Sequence, residues 1–111
     1  MEEIAHDIYR ELGVGHRENV YHKAFEVELR LRCIPYECER VIPVIYKEHV
    51  VSYMRLDLVV DGKSIIELKA TKSLKDDDEF QLRRYLSATS IDDGYLINFG
   101  EKFEVRRIQV T

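Results

Sequence analysis

Residues 53–70 read YMRLDLVVDGKSIIELKA, two runs of strand-forming residues joined at Asp61-Gly62. Side chains alternate faces along a strand. In the first run, taken as Ser52–Val60, the even positions Met54, Leu56, Leu58 and Val60 are apolar, and Arg55 and Asp57 are odd. In the second run Ile66, Leu68 and Ala70 are even, and Glu67 and Lys69 are odd. Residues opposite one another in an antiparallel pair share a face. A two-residue turn at Asp61-Gly62 would set Asp57 beside Ile66 and Leu56 beside Glu67, mixing charge into the apolar face. A three-residue loop, Val60-Asp61-Gly62 with Gly62 left-handed, removes the conflict. It pairs Val59 with Lys63, Asp57 with Ile65 and Arg55 with Glu67. Asp57 and Glu67 become diagonal neighbours, roughly 6–8 Å apart, with Lys69 on the same face.

Two carboxylates that converge repel each other, and a cation between them relieves the repulsion. Oxygen ligands of this kind suit Mg²⁺ or Mn²⁺. Such an ion polarises a phosphate and lowers the pKa of bound water. Lys69 is placed to orient that water or to stabilise a pentacovalent phosphate. A plainer reading of Asp57, Glu67 and Lys69 is a solvated strand face with a cross-strand ion pair. Spacing alone does not separate the two; the clean apolar pattern on the opposite face favours the first.

The chain of 111 residues is 45% hydrophobic, which suits a single domain with one core. It contains no internal repeat or low-complexity segment. No run is apolar enough to span a membrane, and the opening MEEIAHDIYREL is too acidic and polar for a signal peptide. The chain therefore reads as a cytoplasmic protein with no membrane partner. Cys33 and Cys38 are the only cysteines; their spacing is not a zinc pattern, and the pair is expected to be reduced. The net charge of −4 argues against general nucleic-acid affinity, which needs Lys and Arg at phosphates. Basic residues do gather at Lys69, Lys72 and Lys75, at Arg83-Arg84 and at Arg106-Arg107, although the usual explanation of such clusters is an ordinary solvated surface.

The spacing of Ile4, Ile8 and Leu12 predicts a helix over Glu2–Leu12, stopped at Gly13. A second helix is expected from about Arg17 to Cys33, with Val20, Ala24, Val27 and Leu31 on one stripe. Glu18, Tyr21, His22 and Phe25 form the neighbouring stripe. Glu18 suits the positive end of the helix dipole or a place in the site. Tyr21 reads first as a packing residue, and His22, one turn from Glu18, as a structural or exposed one. Tyr36–Tyr46 reads as a strand that Pro43 confines to an edge or a bend. Asp76-Asp77-Asp78 suits capping of a helix over about Glu79–Thr89, with Phe80, Leu82, Leu86 and Ala88 packing. Gln81 is an odd choice for a core face, and with Arg84 and Tyr85 it could hold a phosphate or water. Tyr95–Phe99 and Phe103–Val110 complete the order ααβββαββ. The single helix between the third and fourth strands implies a crossover and a mixed sheet.

Gly15-His16-Arg17-Glu18-Asn19-Val20-Tyr21 resembles the defining motif of the GxxExxY protein family. Arg55-Leu56-Asp57, Ile66-Glu67-Leu68-Lys69-Ala70, Gln81-Leu82, Tyr85-Leu86 and Leu96-Ile97-Asn98-Phe99 follow in step, so the resemblance covers nearly the whole chain. That family is placed in the PD-(D/E)XK nuclease superfamily. The resemblance implies an α/β (α+β) restriction-endonuclease-like core, a central mixed sheet flanked by helices. It implies Asp57 and Glu67 as metal ligands, Lys69 as the catalytic lysine, Glu18 as an accessory carboxylate and Gln81 as the motif glutamine. Where many relatives carry a histidine just before that glutamine, this chain has Asp78-Glu79. The expected activity is metal-dependent phosphodiester cleavage of DNA or RNA, with Mg²⁺ or Mn²⁺ as cofactor and the Leu68 carbonyl as a further ligand. Gln81, Tyr85 and Arg84 would steady the strand. The rival expectation is a silent module that grips nucleic acid or a protein. A short domain also leaves room for a homodimer that shares the substrate contacts.

Overall fold

The computed structural model describes residues 1–110. Its elements are α1 (Glu2–Leu12), α2 (Glu18–Leu31), β1 (Tyr36–Tyr46), β2 (His49–Val60), β3 (Ser64–Lys69), α3 (Asp76–Thr89), β4 (Asp93–Asn98) and β5 (Glu104–Gln109). The strands form one sheet in the order β1-β2-β3-β4-β5. Only β3 and β4 run parallel, and α3 is the crossover between them. The expected element order and mixed sheet are thus what the chain adopts.

Helices cover both faces. Ile4, Ala5 and Ile8 of α1 and Tyr21, Phe25 and Leu29 of α2 pack with Leu58, Val60, Ile66, Leu68 and Ile97. On the other side Leu82, Tyr85 and Leu86 of α3 pack with Leu56, Val59, Ile65 and Leu96. A strand covered on both faces has no need of alternation, and Ile65 through Leu68 are all buried. The predicted one-sided apolar face is therefore corrected. Two helix stripes are corrected as well. In α2 the buried row is Tyr21, Phe25 and Leu29, while Val27 and Leu31 are exposed. In α3 Tyr85 is buried and Phe80 and Ala88 face solvent. Burying an aromatic ring removes more apolar area than burying Val or Ala, so Tyr21, stacked on Phe99 at 4.5 Å between centroids, sets the orientation of α2.

The hairpin register also differs from expectation. Val60 pairs with Ser64, Val59 with Ile65 and Leu58 with Ile66. The turn is closed by Lys63 N–H donating to the Val60 carbonyl at 2.9 Å, with Asp61 and Gly62 both at positive φ. Val60 belongs to the strand because its side chain is buried in the helix-covered core and Pro35 O accepts from Asp61 N–H at 2.8 Å. The shift is by two residues, so the shared face survives but the partners change. Extending the ladder by one step puts Asp57 opposite Glu67. Arg55, expected there, lies exposed and pairs with Val41 instead.

The segment leaving β3 is clamped by one buried amide. Asn98, fully buried at the end of β4, accepts from Thr71 N–H at 2.9 Å and from Gly100 N–H at 3.1 Å. Its Nδ2 donates to the carbonyls of Thr71 at 3.0 Å and Lys102 at 2.9 Å. The chain passes so close here that a Cβ on Gly100 would sit 1.5 Å from the Thr71 carbonyl oxygen. Gly100→Ala is therefore expected to cost about 3 kcal/mol or more, since backbone must move to admit it. Urea unfolding of the variant checks this, and a loss below about 0.5 kcal/mol would contradict it.

Candidate active site

The β2–β3 ladder ends at Leu58–Ile66. At the next step side chains replace the backbone partners. Asp57 N–H donates to Glu67 Oε1 at 3.1 Å, and Leu68 N–H donates to Asp57 Oδ2 at 2.9 Å. Each acid thus caps the amide of the facing strand, and the two strands part around the carboxylates. On its other side β2 is irregular at the same level. Glu39 of β1 has φ 54° and is missing from the pairing between Cys38–Leu58 and Arg40–Leu56. Across this point the packing of β2 changes sides: Leu58 lies under α1 and α2, whereas Leu56 and Met54 lie under α3. Asp57 sits at the changeover.

The electrostatics follow from that geometry. Glu67 is 4% exposed. Its carboxyl is pushed up to about 8, first by burial and next by the Asp57 charge, against the pull of the Asp57 N–H and of Lys69. Among the described residues no cation lies within ion-pair distance of either acid, so the predicted cross-strand ion pair is not formed. Glu18, the first residue of α2, is raised by partial burial and by Asp57, and drawn back by Lys69 and His22. It is exposed, so solvent screens this coupling. The carboxylates of Glu18, Asp57 and Glu67 do not gather within 4.8 Å of one another; Glu18 faces the pair from across a gap.

Lys69 turns toward α3. Its Nζ lies 3.5 Å from Gln81 Oε1 and 3.9 Å from Asp78 Oδ1. Asp78, expected from the sequence to cap a helix, makes an unforeseen contact with Lys69. It also caps α3, accepting from Lys75 N–H at 2.9 Å, so the helix begins at Asp76 and not at Glu79. Tyr85, one turn beyond Gln81, is raised by burial and by the charges of Glu67 and Asp57, and lowered by Arg84 and Gln81. It remains a neutral phenol beside the acids. Arg84 is exposed and has no ion-pair partner among the described residues. A cavity of about 440 Å³ opens between α2 and the kinked β1–β2 level, lined by Glu18, His22, Glu26, Cys38 and Asp57 among others. Asp57 reaches this cavity, whereas Glu67 and Lys69 lie behind it on the α3 side.

The Gly15–Tyr21 heptapeptide divides by role. Gly15 has φ 105°, a conformation side chains disfavour. Tyr21 OH donates to the Gly13 carbonyl at 2.7 Å and accepts from His16 N–H at 3.2 Å, stapling the loop that leads into α2. Glu18, the third fixed residue of the motif, lines the cavity instead.

The donor set suits a hard divalent cation: oxygen donors from facing strands, one of them a buried carboxyl that burial and the neighbouring Asp57 charge push up. A family model described as the PD-(D/E)XK nuclease superfamily matches residues 1–108. The crystal structure of SSO0001 superposes with a TM-score of 0.64 at 21% identity, covering 82% of this chain. The chain spans about half, 48%, of that longer one. A search of the curated proteins finds no match. Among the described residues no helix is long and apolar enough to cross a membrane.

Proposed function

The chain belongs to the PD-(D/E)XK nuclease superfamily, and from that premise we propose that it is a metal-dependent phosphodiesterase that cleaves DNA or RNA. The observation that carries this reading is the parted β2–β3 ladder, in which Asp57 and Glu67 hold each other's strands and bring two carboxyl groups together. Asp57 and Glu67 would hold Mg²⁺ or Mn²⁺, with Glu18 and the Leu68 carbonyl as further ligands. When bound, such an ion polarises the scissile phosphate and supplies water of lowered pKa. Glu18 would approach from α2, across the cavity that it and Asp57 line. Lys69, steered by Gln81 Oε1 and Asp78, orients the attacking water and donates to the developing phosphorane oxygens. Tyr85 donates its phenolic proton to the strand beside Glu67. Arg84, exposed on the same helix, pairs with a neighbouring phosphate.

Labelled single-stranded, duplex and branched DNA and RNA, incubated with the protein in Mg²⁺ or Mn²⁺, test this. Cleavage of at least one is expected, to be abolished by a chelator. Asp57→Asn should slow it at least about a hundredfold, the upper range for loss of a mere outer-shell partner. Binding without cleavage of any substrate would instead support the silent module.

A further inference from the structure

We propose that His22, Glu26 and Cys38 form a second metal site, for a cation of the zinc class, in the cavity wall between α2 and β1. His22 and Glu26 are one turn apart on α2, with Nε2 3.5 Å from Oε2. Cys38 comes from another element, β1, and the donor atoms of all three lie within 4.8 Å of one another. Around a tetrahedral zinc ion, nitrogen, oxygen and sulfur donors stand about 3.3–3.6 Å apart, given bonds of roughly 2.0–2.3 Å. The His22–Glu26 separation already fits, and rotation of the exposed Cys38 side chain closes the remainder.

An ordinary ion pair on a helix face would account for His22 and Glu26 alone. Two further features go beyond it. The first is the thiol opposite them, held beside Glu39, whose positive φ kinks β1 at this level. The second is the support behind Glu26. Tyr36 OH donates to Oε1 at 3.1 Å and itself accepts from Arg30 Nη1 at 2.7 Å. That relay fixes one carboxylate oxygen and leaves Oε2 toward His22 and Cys38, the outer-shell arrangement that orients metal ligands. Imidazole, thiolate and carboxylate together select Zn²⁺ over Mg²⁺. Three protein ligands leave a fourth position, which opens onto the cavity that Glu18 and Asp57 also line. The site is separate from the hard-cation pair Asp57 and Glu67 and stands whether or not the chain cleaves nucleic acid.

Cobalt substitutes for zinc and reports its ligands by absorption. Titration of the full chain with Co²⁺ in reducing buffer is expected to give a near-ultraviolet thiolate-to-cobalt band that saturates at a single equivalent. Cys38→Ser should abolish the band and weaken Zn²⁺ binding at least about a hundredfold. Cys33→Ser, which alters the other exposed cysteine, and Asp57→Asn should leave both unchanged. Absence of the band, its survival in Cys38→Ser, or its loss in Asp57→Asn overturns the proposal.

Discussion

Above pH 8, in the presence of a chelator, Glu67→Gln is expected to make the protein more stable, and at pH 5 to change it little. The sign follows from the folded value of about 8 against an ordinary 4.5 for the unfolded chain. Between these limits the folded state keeps a proton that the unfolded state has released. Unfolding free energy therefore falls as pH rises from about 4.5 to 8, and above 8 the whole penalty is present. At 1.36 kcal/mol per pH unit the penalty is on the order of 5 kcal/mol. Glutamine retains an acceptor for the Asp57 N–H and never ionises, so it escapes the loss. A divalent cation should act on the wild type in the opposite sense, restoring about 2.7 kcal/mol at a hundredfold excess over its dissociation constant. The variant should gain much less. Urea unfolding at pH 5, 7 and 9, with and without Mn²⁺, measures all of this. A wild type that stays the more stable protein at pH 9 without metal would show that Glu67 is not burdened as described.

The same pair shows how far the chain could be read unaided. The parity of YMRLDLVVDGKSIIELKA placed Asp57, Glu67 and Lys69 on one face; in the fold Asp57 and Glu67 meet, while Asp57 also reaches the cavity beside α2 and Lys69 turns to α3. Parity did not identify the partners, because shifting a hairpin by two residues preserves it. What decided the register was the burial of Val60 and the Pro35 bond to Asp61, both of which depend on elements distant in sequence. The helix stripes misled for a related reason. Val27 and Phe80 are apolar enough for a core, yet the sheet offers each helix one narrow row, and Tyr21 and Tyr85 take it. Asn98 stood in the apolar run Leu96–Phe99, where a lone amide must find partners or be costly. That hint was visible, but its partners at Thr71, Gly100 and Lys102 were not. Cys38 lacks any partner by spacing; only the fold brings it to His22 and Glu26.

Lys69→Ala is expected to slow cleavage by about 10²–10³-fold, the usual loss for one preorganised donor to a developing oxyanion, while leaving Mn²⁺ affinity intact. The division of labour is geometric. The acids belong to the gap between β2 and β3, whereas the lysine leans away from them onto α3, where Gln81 Oε1 and Asp78 receive it. Removing the amine therefore takes no ligand from the ion, and it lowers the positive charge that competes with a cation for Glu67 and Glu18. Metal binding should stay equal or tighten. Arginine should not rescue the rate, because its planar fork cannot reproduce a compact ammonium at that position. Gln81→Ala and Asp78→Ala each remove one partner of the lysine and should each cost about tenfold, Asp78→Ala also removing a cap of α3. Their combined effect should fall short of the product, since both hold one group. Single-turnover cleavage at saturating Mn²⁺, beside direct measurement of Mn²⁺ binding, separates rate from affinity. A Lys69→Ala protein that cuts at the wild-type rate, or one that no longer binds Mn²⁺, would remove the lysine from the chemistry assigned to it.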